Sequence, residues 1–261
     1  MRPLLVAVAL LASLPASAGE RLVLIGGGKR PPEVLAPFVE WAGGKEARIL
    51  VIAWASGEPR ESFEAIRTDL LPFHPASVEA APLAPLDAQG KARFREQLRN
   101  ATGVFLAGGQ QDRVMDVLED VLLLRALRER HHAGVVFAGT SAGTAVMSER
   151  MITGEGDFTV IDGDKVETRP GLGLLPGVIL DQHFIKRQRE NRLFGLVLKH
   201  PQELGVGIDE ATALLVEDGR YAEVVGQSQV MLVEAQKPPE SLLVTLLPPG
   251  RRFDLGERRS R

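Results

Sequence analysis

The chain has 261 residues, of which 44% are hydrophobic and 25% are charged, and its formal net charge is -3. This composition is that of a globular protein with an ample core, and it provides no basic surface for nucleic acid. Because the chain has no cysteine, the sequence excludes disulfides, thiolate nucleophiles and cysteine-bound metals.

Residues 1–18 have the three parts of a secretory signal peptide. Arg2 precedes an apolar stretch that is shorter than a membrane span, and Ala16-Ser17-Ala18 provides a small-residue cleavage site. We therefore expect an exported protein, periplasmic or extracellular, whose mature chain begins near Gly19 and does not bind membranes. An uncleaved membrane anchor is the alternative interpretation.

The first half of the chain alternates apolar strands with amphipathic helices. Strands are predicted at Arg21–Ile25, Ala47–Ala53, Val104–Ala107 and Gly134–Ala138; helices are predicted at Glu33–Ala42, Ser62–Leu71, Lys91–Arg99, Val114–Leu118 and Leu122–Arg130. A Pro- and Ala-rich connection covers residues 72–86. Because each strand is apolar on both faces, the pattern predicts an α/β fold with a doubly wound, mostly parallel sheet flanked by helices.

The second half is less regular and ends in additional β-strands. The pattern predicts loops over Met151–Gly177, a strand at Val178–Asp181, a basic helix at Lys186–Lys199, a strand at Val206–Ile208, a hairpin over Leu214–Val225, and edge strands at Val230–Val233 and Leu242–Leu247. Residues 19–249 are predicted to form a single α/β domain. The arginine-rich tail, residues 250–261, is predicted to be disordered.

Two glycine-rich turns follow predicted strands. Gly26-Gly27-Gly28-Lys29 is interpreted as an ordinary turn, because Arg30 stands where a phosphate-binding loop needs Ser or Thr. Gly139-Thr140-Ser141-Ala142-Gly143 has the Gly-x-Ser-x-Gly pattern of a nucleophile elbow, in which a tight strand-to-helix turn exposes the serine hydroxyl. There the N-H of Ala142 can face an oxyanion. The alternative is a glycine-rich turn with a buried capping serine.

A serine nucleophile requires a base and a group that orients the base. Of the five histidines, only His183 follows a predicted strand end, and Glu210 follows another. We therefore expect Ser141, His183 and Glu210 to meet at the strand ends of one sheet. Taken alone, the histidine and the acid are equally compatible with structural roles. Their chain order, Ser-His-Glu, differs from that of the usual Gly-x-Ser-x-Gly hydrolases and is typical of class I glutamine amidotransferase-like domains.

Four motifs resemble those of the cyanophycinases, serine peptidases with that amidotransferase-like fold. These are the elbow, Gly108-Gly109-Gln110-Gln111, Asp181-Gln182-His183-Phe184 followed by Arg187, Arg189 and Arg192, and Gly207-Ile208-Asp209-Glu210. The resemblance runs from about Val23 to Val233. It implies an exopeptidase that acts on a peptide or polymer substrate and releases β-Asp-Arg dipeptides, with no metal or cofactor and with a possible homodimer.

The resemblance also implies roles for individual residues. Ser141, His183 and Glu210 would be catalytic, and the N-H groups of Ala142, Gly108 and Gly109 would form the oxyanion hole. The substrate-binding residues would be Gln110, Gln111, Asp181, Gln182, Arg187, Arg189 and Arg192. Guanidinium groups suit carboxylates because they form paired hydrogen bonds.

Some features leave other interpretations open. Thr144 stands where the family pattern favours a smaller alanine, so the floor of the elbow is expected to differ. Three arginines on one helix can also be a solvated face. The alternative functions are a dipeptidase for short aspartyl or isoaspartyl peptides, and a periplasmic binding protein that has lost catalysis.

Overall fold

The computed structural model describes residues 19–157, 159–237 and 241–260. The predicted signal peptide, residues 1–18, lies outside the described residues. Within the described ranges, no helix combines the length and the apolar character that a membrane crossing requires.

The first half forms the predicted alternation of strands and helices. The strands are β1 (Arg21–Ile25), β2 (Arg48–Ile52), β3 (Ser77–Ala80), β4 (Gly103–Leu106) and β5 (Val136–Thr140); the helices are α1 (Pro32–Trp41), α2 (Pro59–Leu70), α3 (Ala88–Asn100), α4 (Gln111–Val117) and α5 (Val121–His132). Strand β3 lies inside the connection that was predicted to be irregular. Only half-buried and exposed residues occupy it, so it lacks the apolar pattern of its neighbours.

These five strands form a parallel sheet in the order β1-β5-β4-β2-β3. Successive side chains of a strand point to opposite faces, and both faces are covered. In β1, Val23 and Ile25 pack toward α1 and α2, whereas Leu22 and Leu24 pack into the core on the opposite face. The doubly wound α/β fold is therefore confirmed, and the carboxyl ends of the five strands lie along one edge of the sheet.

The second half contains a short helix α6, strands β6 to β15 and helix α7. Their bounds are α6 (Ala142–Ala145), β6 (Arg150–Gly156), β7 (Val166–Pro170), β8 (Val178–Gln182), α7 (Glu190–Lys199), β9 (Leu204–Ile208), β10 (Thr212–Glu217), β11 (Tyr221–Gly226), β12 (Val230–Gln236), β13 (Ser241–Leu247), β14 (Arg252–Asp254) and β15 (Arg259–Ser260). The predicted hairpin is β10–β11, and it extends the main sheet beside β1 to nine strands together with β14 and β15.

Strands β8, β9, β12 and β13 form a separate four-stranded sheet in the order β13-β12-β9-β8. Strands β8 and β9 are parallel, and β12 and β13 are antiparallel additions. Ser141 follows a strand of the main sheet, whereas His183 and Glu210 follow strands of the second sheet. The expectation that one sheet carries all three residues is therefore wrong. Strand β12 is also interior, although it was predicted to be an edge strand.

Two other predictions need correction. The region predicted as loops contains the β6–β7 hairpin, whose alternating pattern is broken by a register shift between Ile152 and Gly156. The predicted basic helix is shorter than expected, because α7 begins at Glu190 and only Arg192 of the three arginines lies in it. Arg187 and Arg189 belong to the turn between β8 and α7.

The tail is ordered through residue 260, contrary to the predicted disorder of residues 250–261. Strand β14 pairs with β11, and Phe253 and Leu255 are buried. Asp254 is fully buried, and Arg220 donates from Nε to its two oxygens at 3.0 and 2.9 Å. The segment is rich in arginine, but its few apolar and acidic residues hold it in place. Strand β14 pairs with β11, and Asp254 pairs with Arg220 in the turn before β11.

The Phe253→Ala substitution tests this packing. We expect a loss of about 3 kcal/mol in the free energy of unfolding, because a well-packed phenyl ring is replaced by a cavity. Urea unfolding of Phe253→Ala and of the exposed control Arg251→Ala would measure it. The control should change stability by less than about 0.5 kcal/mol. Equal stability of both variants would mean that the tail does not pack on β11.

Candidate active site

Ser141 lies at the sharp turn between β5 and α6. Its backbone has φ 53° and ψ -117°, a conformation that is rare and strained for a residue with a side chain. The Ser141 N-H donates to the Ile25 carbonyl at 3.1 Å, which fixes the turn to the end of β1. Ala142 begins α6, so its N-H is one of the first N-H groups of the helix, which have no acceptor within it, as in a nucleophile elbow.

Thr144 lies beneath this turn and is fully buried. Its hydroxyl oxygen is 2.7 Å from the carbonyl oxygens of both Ile25 and Gly139. The single hydroxyl proton can be donated to one of them or shared between them. The Thr144 side chain therefore ties α6 to the ends of β1 and β5, and it is not among the residues that line the cleft.

Ser141, His183 and Glu210 form a continuous series of hydrogen bonds. The Nε2 atom of His183 is 2.9 Å from Ser141 Oγ, and its Nδ1 atom is 2.5 Å from Glu210 Oε1. Because a carboxylate accepts hydrogen bonds only, it favours the tautomer with the proton on Nδ1. The lone pair of Nε2 then faces the serine hydroxyl, which is the arrangement of a nucleophile and its general base.

The Gly26–Gly28 turn after β1 holds this histidine in place across the junction of the two sheets. The His183 N-H donates to the Gly26 carbonyl at 2.7 Å, and the Ala211 N-H donates to the Gly27 carbonyl at 2.9 Å. Gly27 has φ 112°, and a Cβ atom there would lie 2.4 Å from His183 Cε1. The sequence indicated only a turn here, because the residues around Gly27 do not show that the distant His183 ring packs against it.

The environment of His183 lowers the pKa of its imidazole below the ordinary 6.5. Burial is the main cause, and the positive charges of Arg187 and Arg189 act in the same direction, whereas Glu210 opposes them. At neutral pH the ring is therefore uncharged and able to accept a proton. Burial also lowers the pKa of Arg189 to about 10, so this guanidinium remains charged at neutral pH.

A cleft of about 560 Å³ opens in front of Ser141. Its walls come from the turn after β4, the start of α4, the tip of β6 and the turn between β8 and α7. The lining residues are Gly109, Gln110, Gln111, Asp112, Ser141, Gly154, Glu155, Gln182, Arg187, Gln188, Arg189 and Arg192. Most of the predicted site residues thus share one cleft. Four lining residues were missed because their segments were predicted as turn, loop or helix: Asp112, Gly154, Glu155 and Gln188.

Asp181 and Arg192 pair with each other at the floor of the cleft, which Arg192 helps to line. The Arg192 Nε atom donates to Asp181 Oδ2 at 2.6 Å, and a second guanidinium nitrogen donates to Oδ1. Both residues are buried, at 3% exposure for Arg192 and 1% for Asp181. Arg189 donates to the Gln182 carbonyl at 2.9 Å and lies half-buried above this pair. Arg187 is the exposed member of the cluster.

The Gly108–Gln111 turn faces the elbow. A Cβ atom on Gly108 would be 3.4 Å from the Ser141 Cβ, so the turn passes directly beside the serine. Gly109 has φ 137°, and a side chain there would collide with the Ala55 carbonyl oxygen. Gln111 is buried and donates from Nε2 to the Ile152 carbonyl at 2.8 Å, so it supports β6. Gln110 is exposed at the cleft.

The contact between Gly27 and the imidazole can be tested with Gly27→Ala. The added methyl group would displace the His183 ring, and we expect modification of Ser141 by a sulfonyl fluoride to slow by about 10²-fold, the scale of general-base assistance.

The control is Gly57→Ala, because a Cβ atom at Gly57 would meet only an Arg113 nitrogen at an ordinary 3.7 Å. Circular dichroism would check that both variants fold. An unchanged modification rate in folded Gly27→Ala would show that the turn does not position the ring.

One family model and several curated proteins are similar to most of this chain. The model of "Peptidase family S51" matches residues 22–224. A cyanophycinase of Trichormus variabilis is 35% identical over 243 residues, which cover 89% of this chain and 79% of that protein. A cyanophycinase of Geminocystis herdmanii is 35% identical over 224 residues, which cover 82% and 80%. A peptidase E of Shewanella amazonensis is 30% identical, but over only 46% of this chain and 52% of that protein.

Solved structures show the same fold. A peptidase from an acI-B1 actinobacterium superposes with a TM-score of 0.70 at 21% identity, covering 91% of this chain and 98% of that one. A putative peptidase E protein from Listeria monocytogenes has a TM-score of 0.56 at 16% identity, covering 88% of this chain and 100% of that one. The family match over most of the chain identifies the protein as a serine-type peptidase that belongs to peptidase family S51.

Proposed function

We propose that this peptidase hydrolyses cyanophycin, a polyaspartate with arginine on each β-carboxyl group, and releases β-Asp-Arg dipeptides. The observation that carries the proposal is the hydrogen-bonded series Ser141–His183–Glu210 at a cleft that presents Arg187 and Arg189. It is supported by the cyanophycinases that match more than four fifths of the chain. The peptidase E relatives match only about half of the chain, at 46% and 52% of its length, so a dipeptidase for short peptides is the weaker candidate.

The chemistry follows from the tautomer that Glu210 favours. Ser141 Oγ attacks the carbonyl carbon of a main-chain amide while His183 Nε2 accepts the hydroxyl proton. The resulting imidazolium is stabilised by Glu210 and returns the proton to the leaving amine as the C–N bond breaks. Water then attacks the acyl-enzyme with His183 again as the base, and this releases the acid product and restores Ser141.

The oxyanion of each tetrahedral intermediate needs hydrogen-bond donors that are already in position. The candidate donors are the N-H of Ala142 at the start of α6 and those of the Gly108–Gly109 turn, which passes beside Ser141. Donors of this kind are worth about 3–4 kcal/mol each in the transition state. The strained backbone of Ser141 supports the proposal, because a nucleophile elbow holds its serine in such a conformation and uses the next N-H as an oxyanion donor.

The arginines of the turn after β8 would bind the carboxylates of the substrate. Each Asp-Arg unit carries a free carboxylate on its arginine, and a guanidinium can bind it through two parallel hydrogen bonds. Arg187 and Arg189 are suited to this, whereas Arg192 and Asp181 would hold Gln182 and Arg189 in position from below. Gln110 and Gln182 can bind amide groups at the cleft wall.

We also propose export of the mature protein. The proposal rests on the pattern of residues 1–18, namely Arg2, an apolar stretch and the Ala16-Ser17-Ala18 site. An exported enzyme would degrade polymer that other cells have released. Cell fractionation and N-terminal sequencing of the mature protein would test both export and cleavage before Gly19.

Product analysis tests the reaction directly. Mature protein from Gly19 is incubated with insoluble cyanophycin beside Ser141→Ala, and the soluble products are identified by mass spectrometry. We expect β-Asp-Arg from the wild type and a rate at least about 10⁴-fold lower for the variant, since the nucleophile is lost.

Release of the dipeptide by both proteins would refute the role of Ser141. Hydrolysis of short isoaspartyl peptides, with none of the polymer, would favour the dipeptidase. Binding of the polymer without hydrolysis by the wild type would indicate a binding protein.

The pH dependence tests the base. Because His183 must be uncharged, activity should fall as pH decreases through its pKa, and the midpoint should lie below 6.5 because burial and the arginines lower that pKa. Arg187→Gln removes one of these positive charges, so the pKa should rise and the acid limb of kcat/KM should move to higher pH. Arg99→Gln, on the exposed surface of α3, should leave the acid limb in place. A profile that is flat through this range would contradict the role of His183.

A further inference from the structure

The β6–β7 hairpin forms one wall of the cleft and is fixed to α4 by two side chains. Gln111 at the start of α4 donates to the Ile152 carbonyl on β6. Arg169 on β7 donates to Asp116 at 2.9 Å and to Asp112 at 3.3 Å. Since α4 follows directly on the Gly108–Gly109 turn beside Ser141, these contacts hold the hairpin in a defined position relative to the nucleophile.

Glu155 occupies the irregular part of this hairpin. The register of the two strands shifts between Ile152 and Gly156, and such bulges redirect side chains, often beside active sites. The Glu155 N-H donates to Thr153 Oγ1 at 3.2 Å, and that hydroxyl in turn donates to the Glu167 carbonyl at 3.2 Å. These contacts fix the backbone at the bulge, and Glu155 is one of the residues that line the cleft.

The charges that line the cleft are of two kinds. Some are paired inside the protein: Asp112 with Arg169, and Arg192 with Asp181. Among the described residues, the Glu155 carboxylate makes no salt bridge, and Arg187 is likewise exposed without one. Together with Arg189, they give the cleft two positive groups from the turn after β8 and one negative group from the β6–β7 hairpin.

This distribution is complementary to a zwitterionic substrate unit. A β-Asp-Arg unit carries a carboxylate, for which Arg187 and Arg189 are suited, and a guanidinium, which needs an anion. Of the two acids in the cleft wall, Asp112 is already paired with Arg169, which leaves Glu155. We propose, resting on the proposed function, that Glu155 binds the guanidinium of the substrate arginine and so makes the enzyme select arginyl over uncharged side chains.

Binding to the inactive Ser141→Ala protein provides the test. Isothermal titration calorimetry compares the β-Asp-Arg dipeptide with β-Asp-citrulline, which has nearly the same shape and no side-chain charge. We expect Ser141→Ala to prefer the arginyl ligand by about two- to fivefold, the scale of one accessible charged pair. Adding Glu155→Gln should abolish the preference, with little change in affinity for the citrullyl ligand.

The matched control is Glu167→Gln, because Glu167 is an exposed acid on the same hairpin that does not line the cleft. Its preference should equal that of the parent. The proposal is overturned if the parent shows no preference, if the preference survives Glu155→Gln, or if Glu155→Gln weakens both ligands equally. The proposed function fails separately if wild-type enzyme releases no dipeptide from cyanophycin, and the binding comparison still decides the role of Glu155 in that case.

Discussion

The active-site geometry depends on a backbone junction between two sheets. Ser141 is carried by the main sheet, while His183 and Glu210 are carried by the second, so their approach cannot result from pairing within one sheet. The Gly26–Gly28 turn makes the connection, because its carbonyls accept from the His183 and Ala211 N-H groups. The absence of a side chain at Gly27 then lets the imidazole lie against the backbone. The hydrogen bond of 2.9 Å between His183 and Ser141 therefore depends on the relative position of the two sheets, which this turn fixes.

The electrostatics of the site balance two opposing requirements. A general base must be uncharged before the reaction, and burial together with the nearby arginines favours this state for His183. Under the proposed function, the base also carries a positive charge during the reaction, and Glu210 would stabilise the imidazolium through its bond to Nδ1. The carboxylate would therefore serve two purposes: it would select the productive tautomer of the ring, and it would offset the influence of Arg187 and Arg189.

The parts of the fold and site that follow local patterns could be predicted from the sequence. Strands β1, β2, β4 and β5 and the turn at Ser141 are determined by residues that are adjacent in sequence, namely apolar runs and flanking glycines. The structure contains these elements within about two residues of the predicted positions. The division into two sheets could not be predicted, because β8 and β9 have the same apolar character as the strands of the main sheet. The β6–β7 hairpin was missed since its bulge interrupts the alternation, and β14 was missed since its stability comes from contacts with β11 and Arg220 that are distant in sequence.

The arginine cluster shows how residues of one motif acquire different roles. At the level of sequence, Arg187, Arg189 and Arg192 are equivalent members of one spacing pattern. In the structure the helix starts later than the pattern suggests, so Arg192 turns into the core and pairs with Asp181. A buried charge is tolerated only when it is paired, and the loss of either partner would leave the other uncompensated. The pair therefore supports the cleft from below, while the arginines of the preceding turn keep their charge at the surface of the cleft.

Because the charges of Arg187 and Arg189 also lower the pKa of His183, a bound carboxylate that neutralises them would make the imidazole a stronger base. Under the proposed function, substrate binding and activation of the nucleophile would thus be coupled through the same two side chains.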